Sequence, residues 1–123
     1  MSVRAATRIV ASLALLTGLA GDLFAHASLS RASPAVDSVV RVPPTEIRLW
    51  FSSRIEAAFS AVRVVDGNGV QVSTVGKEAD PSDPTLLRVL LPPLARGTYH
   101  VFWRVVSIDT HVISGDYRFS LQP

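Results

Sequence analysis

Between residues 47 and 51 the chain alternates, with Ile47, Leu49 and Phe51 set against Arg48 and Trp50. A period of two places the first three on one face of an extended strand, so the pattern predicts a strand buried on one side. The same period recurs near the end of the chain. Tyr99, Val101, Trp103 and Val105 share one face of a long strand, and Tyr117, Phe119 and Leu121 share one face of the last. Residues 62–65 and 70–73 flank Asp66-Gly67-Asn68-Gly69 and predict a hairpin, because Gly and Asn supply the positive φ that a tight turn requires. Leu86 to Leu91 is a further apolar run.

Prolines punctuate these runs. Pro43-Pro44 and Pro92-Pro93 lack ladder donors and mark loops or edges. Glu78 to Pro84 is polar and turn-rich, and is expected to be a mobile loop. No stretch carries a helical period of useful length. Five or more short strands at this spacing predict an all-β sandwich with Greek-key connections.

The first 25 residues do not fit that pattern. Met1, Arg4 and Arg8 precede an uncharged run from Ile9 to Ala20, the charged and apolar regions of an export signal. The run is interrupted by Thr17 and Gly18 and is too short to span a bilayer, which takes about 20 apolar residues. We therefore read 1–25 as a cleaved signal peptide and 26–123 as one domain. Cleavage after Ala25 makes His26 the first residue. Ala25-His26-Ala27 also fits the small-x-small rule, and cutting there would discard His26, whereas cutting after Ala20 would leave it internal.

Removing 25 residues from 123 leaves 98, enough for one modest core. Loss of Arg4, Arg8 and Asp22 takes the basic count from 12 to 10 and the acidic count from 10 to 9, for a charge of +1. Nothing in that balance points to nucleic acid. The chain has no cysteine, so disulfides and thiolate metal sites are excluded.

Two places could carry chemistry. A terminal His26 would offer its α-amine and its imidazole to one metal ion, and both nitrogens are freed of protons at little cost near neutral pH. In "VSIDTHVISGDY", Asp109 and His111 are two apart, and on an extended backbone they would point to the same side. Together these give three nitrogens and one oxygen. The only methionine is Met1, which leaves with the signal, so no sulfur donor remains. Such a set favours Cu(II), while Zn(II) could use the same atoms in a tetrahedral site. The plain alternatives are a solvated Asp109 turn and a frayed terminal His26. His100 reads as a surface residue opposite Tyr99 and Trp103, Trp50 and Trp103 as packing groups, and Arg54 and Glu56 as solvated charges.

The segments "HASLSRASPAVDSVV", "PPTEIRLWFSSRIEAAFSAVRVVDGNGV" and "LARGTYHVFWRVVSIDTHVISGDYRFSL" make the chain resemble the CopC family of periplasmic copper-binding proteins across nearly all of residues 26–123. The resemblance implies a cupredoxin-like, immunoglobulin-like Greek-key β-sandwich or barrel. It implies one Cu(II) per chain held by His26, Asp109 and His111, with no catalysis. It also implies a periplasmic monomer serving copper resistance or homeostasis with a CopD-like inner-membrane partner, and no nucleic acid or small-molecule substrate. Relatives with a Cu(I) site carry a methionine-rich loop, which this chain lacks. Two positions depart from the family pattern: Ser53 stands where many relatives have a glutamate, and Val112 where proline is common. Competing readings are a metal-free sandwich for protein contacts, and a copper oxidase or monooxygenase built on the histidine chelate, as in lytic polysaccharide monooxygenases. The second needs a broad substrate face that 98 residues hardly provide.

Overall fold

The computed structural model describes residues 28–73 and 77–123. Among them are eight strands and one 3-10 turn: β1 (Leu29–Ser33), β2 (Val39–Val40), β3 (Glu46–Phe51), the turn Ala57–Phe59, β4 (Ala61–Val65), β5 (Lys77–Asp80), β6 (Asp83–Leu90), β7 (Gly97–Val106) and β8 (Val112–Leu121). They form two four-stranded sheets, ordered β1-β3-β6-β5 and β2-β8-β7-β4. Every pairing is antiparallel except the two-residue contact of β2 with β8. The all-β sandwich expected from the alternation is the observed fold.

The core lies between the sheets. Ile47 and Leu49 of β3 and Leu87 and Val89 of β6 face Val101 and Val105 of β7 and Phe119 and Leu121 of β8, all essentially inaccessible to solvent. Each such side chain contributes about 1.5–3 kcal/mol by leaving water. Trp103 packs against this cluster as expected, lying across Gly115, its register partner on β8. A Cβ built at Gly115 would fall 2.3 Å from the indole, so only glycine leaves room for the ring there. Trp50, by contrast, is not a core residue. It is half-buried on the outer face of its sheet, with the Arg31 guanidinium 4.1 Å from its ring centroid.

Two loop readings need correction. Glu78 to Pro84 is not a loose loop, since β5 and β6 form a hairpin joined by Pro81 and Ser82. The polar residues there build the turn. Asp80 Oδ1 accepts hydrogen bonds from the Ser82 amide at 2.8 Å and hydroxyl at 2.6 Å, and Asp83 Oδ1 does the same for Thr85 at 3.0 and 2.6 Å. Pro84 lies beyond the part of β6 that pairs with β3, so its missing donor costs nothing, and its carbonyl accepts the Ile55 amide at 3.1 Å. The hairpin predicted around residues 66–69 is only half formed. Its second arm is a single bridge, Val65 to Gln71, plus the Val72 amide bonded to the Val64 carbonyl at 2.8 Å. In the turn itself Gly69, at φ 78°, is the residue with positive φ.

Candidate metal centre

β7 and β8 pair over their full length from Gly97↔Leu121 to Val106↔Val112, which leaves Ser107 to His111 as the loop between them. The Ser107 amide bonds the His111 carbonyl at 2.9 Å, and the Thr110 amide bonds the Ser107 carbonyl at 2.8 Å. Thr110 adopts φ 72°, a left-handed conformation that costs a β-branched residue about 1–3 kcal/mol. Asp109 and His111 are therefore not alternate residues of an extended strand. They converge because the backbone between them turns over.

Their side chains meet at the tip of this turn. His111 Nδ1 stands 3.0 Å from Asp109 Oδ2, with the two side chains 55% and 45% exposed, open enough for an ion to reach. The other carboxylate oxygen, Oδ1, accepts the Ser107 hydroxyl and a long 3.4 Å bond from the His111 amide. Ser107 is buried, and its hydroxyl also lies 3.3 Å from the His111 carbonyl. The Ser107 hydroxyl, ahead of the His111 contacts, holds the Asp109 carboxyl below its ordinary range, against a smaller upward push from desolvation. The carboxylate is thus charged and pinned at one oxygen, with the other turned toward the imidazole. Because its folded value is lowered, the stabilisation from this cluster is in place above the ordinary carboxylate range and is lost as pH falls through the lowered value.

Ser107 was not singled out by sequence reasoning. Its spacing in S-x-D-x-H was visible, but a serine beside a charged pair has no signature of its own until its burial is known. Ser107→Ala is expected to remove this pin, lowering stability by about 1 kcal/mol and moving the Asp109 titration upward. Chemical denaturation and a carboxyl-carbon NMR titration measure both, and an unmoved Asp109 would discard the assignment.

The loop is anchored to the segment that follows β3. The Ile108 amide bonds the Arg54 carbonyl at 3.0 Å, the Glu56 amide bonds the Val106 carbonyl at 2.7 Å, and Ile55 bridges Ser107. The same segment receives the start of the described chain: the Ser28 amide bonds Ser52 Oγ at 2.9 Å, and the Ser52 amide bonds the Ser28 carbonyl at 2.7 Å. Residues 52–56 thus join the chain entry at Ser28 to the Asp109–His111 loop at one end of the sandwich.

Of the three expected donors, the structure brings Asp109 and His111 together, while His26 lies outside the described residues. Among the described residues no group of three or more His, Cys, Asp or Glu side chains gathers to hold a metal. Two converging N and O donors suit a borderline divalent ion, but further donors must come from elsewhere. Ser53 is half-buried and supplies no carboxylate. His100 is more than a plain surface residue. Its Nε2 lies 2.5 Å from Asp116 Oδ2 on the neighbouring strand β8, and its ring packs on Phe102 at 4.0 Å.

Comparison with known proteins gives a consistent answer. The CopC domain family matches residues 29–122. Copper resistance protein C of Escherichia coli is 35% identical over 116 residues, covering 88% of this chain and 90% of that protein. The crystal structure of CopC from Methylosinus trichosporium OB3b superposes with a TM-score of 0.75 at 34% identity, covering 80% of this chain and 95% of that one. That of PcoC, a methionine-rich copper resistance protein from Escherichia coli, superposes with a TM-score of 0.68 at 33% identity, covering 79% of this chain and 99% of that one. With the matched domain running from the first strand to the end of the last, the chain belongs to the CopC family.

Proposed function

We propose that this protein is exported to the periplasm, loses residues 1–25, and there binds one Cu(II) through the His26 amine and imidazole, Asp109 and His111. It acts as a carrier or buffer in copper homeostasis and resistance, without turnover, and exchanges the ion with a CopD-like inner-membrane protein. The observation that carries the reading is the shared anchor at residues 52–56. Ser28 is tied to Ser52, and the Asp109–His111 loop is tied to Arg54 and Glu56. His26 is two residues before Ser28, and two extended residues reach about 7 Å. The common anchor supports a terminal chelate at this end of the sandwich.

Relatives in support are named copper resistance protein C. The contrast with the methionine-rich PcoC is also informative, because this chain has one methionine and it is Met1. A sulfur site for Cu(I) has no donors here, and nitrogen and oxygen donors favour Cu(II). Release would begin with the terminal arm. Protonation of the amine or imidazole detaches donors one at a time, so affinity falls as pH drops below the imidazole range. Ser53 in place of a glutamate removes an outer carboxylate, a change that weakens metal sites by about 10-fold to 100-fold.

The test is a Cu(II) titration of the exported protein after its first residue has been identified by N-terminal sequencing. The expected result is a chain beginning at His26 that takes up one equivalent with the paramagnetic resonance signature of nitrogen and oxygen ligands. A start at Gly21 or Ser28, or uptake that does not saturate at one equivalent, would overturn the proposal.

A further inference from the structure

The outer face of the second sheet is a regular grid set by the strand register. Ala61, Arg63 and Val65 of β4 lie opposite Arg104, Phe102 and His100 of β7, which lie opposite Ser114, Asp116 and Arg118 of β8. Phe102 occupies the centre. The Arg63 guanidinium stands 4.8 Å from its ring centroid and the His100 ring 4.0 Å, so the phenyl group is held in place from two sides. Two open concavities flank it, one of about 290 Å³ between Arg63 and Arg104 and one of about 490 Å³ reaching His100 and Arg118.

The charges on this face are not balanced among the described residues. Its one grid carboxylate, Asp116, is engaged by His100. Asp66 lies at the margin of the larger concavity, with Oδ1 occupied by the Asn68 and Val70 amides. Arg104 and Arg118 are exposed, and neither forms an ion pair with a carboxylate among the described residues. The outer face of the first sheet differs. There Arg48 pairs with Glu46, Arg31 lies on Trp50, and Arg88 is also engaged. Arginine around a fixed aromatic, flanked by concavities, is the composition of a protein-binding surface, and uncompensated cations select an acidic partner.

We infer that the outer face of β4, β7 and β8 docks an acidic segment of a partner protein, with Phe102 as the apolar anchor and Arg104 and Arg118 pairing its carboxylates. Arg104 and Ser114 each stand three residues from the Ser107–His111 loop, about 10 Å along a strand, so this edge of the surface is the one nearest Asp109 and His111. That this partner is the copper recipient rests on the function proposed above. The docking itself does not.

Metal-free exported protein therefore provides the test, by amide chemical-shift mapping with an octapeptide that alternates glutamate with glycine around one leucine. The expected result is shifts confined to residues 61–65, 100–104 and 114–118, weakened by added salt, and absent with the lysine counterpart of the peptide. The double variant R104E/R118E should bind at least ten-fold more weakly, while R48E on the first sheet binds as the parent does. Both arginines are exposed, and the milder pair R104Q/R118Q repeats the test with less change of charge. Shifts spread equally over both sheets, or binding to phosphatidylglycerol vesicles without binding to the peptide, would overturn the inference. A protein that takes up no copper but passes this test would separate the docking surface from the proposed function.

Discussion

His26→Ala in the exported protein is expected to weaken Cu(II) binding by more than about 100-fold. Loss of a group that merely hydrogen-bonds a ligand costs about 10-fold to 100-fold, and this substitution removes a directly bound imidazole and breaks the chelate ring it forms with the amine. The amine, Asp109 and His111 would remain, the last two converging at 3.0 Å, but three separate donors without the chelate ring hold an ion far less firmly than four. A companion experiment isolates the amine. One extra glycine before His26 keeps the imidazole and moves the amine out of the ring, and should cost nearly as much. Competition against a chelator of known affinity reads both changes. Equal affinity in parent, alanine variant and extended chain would show that the terminus takes no part, whatever the rest of the fold does.

Phe119→Ala is expected to have the largest effect on stability. Phe119 is 1% exposed and stacks on Tyr99 with ring centroids 5.5 Å apart, in the middle of the sheet-to-sheet interface. Removing a buried phenyl costs about 3–5 kcal/mol from lost transfer and the cavity left behind. In a domain of this size 1 kcal/mol lowers Tm by about 4–8 °C, so a fall on the order of 15–30 °C should appear in thermal unfolding followed by circular dichroism. Phe59 supplies the contrast. It is 69% exposed on the 3-10 turn, and its alanine variant should stay within about 0.5 kcal/mol of the parent. Comparable losses at both positions would mean that the core is not where the burial pattern puts it.

Much of the fold is legible in the chain because strand alternation is a local property. Ile47, Leu49 and Phe51, and Tyr117, Phe119 and Leu121, declare their buried faces through spacing alone. β1 and β5 are harder to see. β1, with sequence LSRAS, buries only Ala32, and β5 is four residues long; each lies at a sheet edge, where one neighbour suffices and apolar alternation is not demanded. The 78–84 segment misled for a related reason. Asp, Ser and Pro mark both loose loops and tight turns, and only the hydrogen bonds of Asp80 and Asp83 distinguish them.

The chain alone determined the chemistry available to this protein. It has histidine and carboxylate donors but no cysteine and no methionine beyond Met1, and its apolar period dictates a two-sheet sandwich. Tertiary structure decided where that chemistry is assembled. Ser28 and Ser52 are 24 residues apart and Arg54 and Ile108 farther still, and a contact across such separations is set by how the sheets stack rather than by neighbouring residues. The pin of Ser107 on Asp109 and the gathering of Arg63, Arg104 and Arg118 around Phe102 follow from the same cause. Periodicity tells a side chain which face to take, and only packing tells it what will stand opposite.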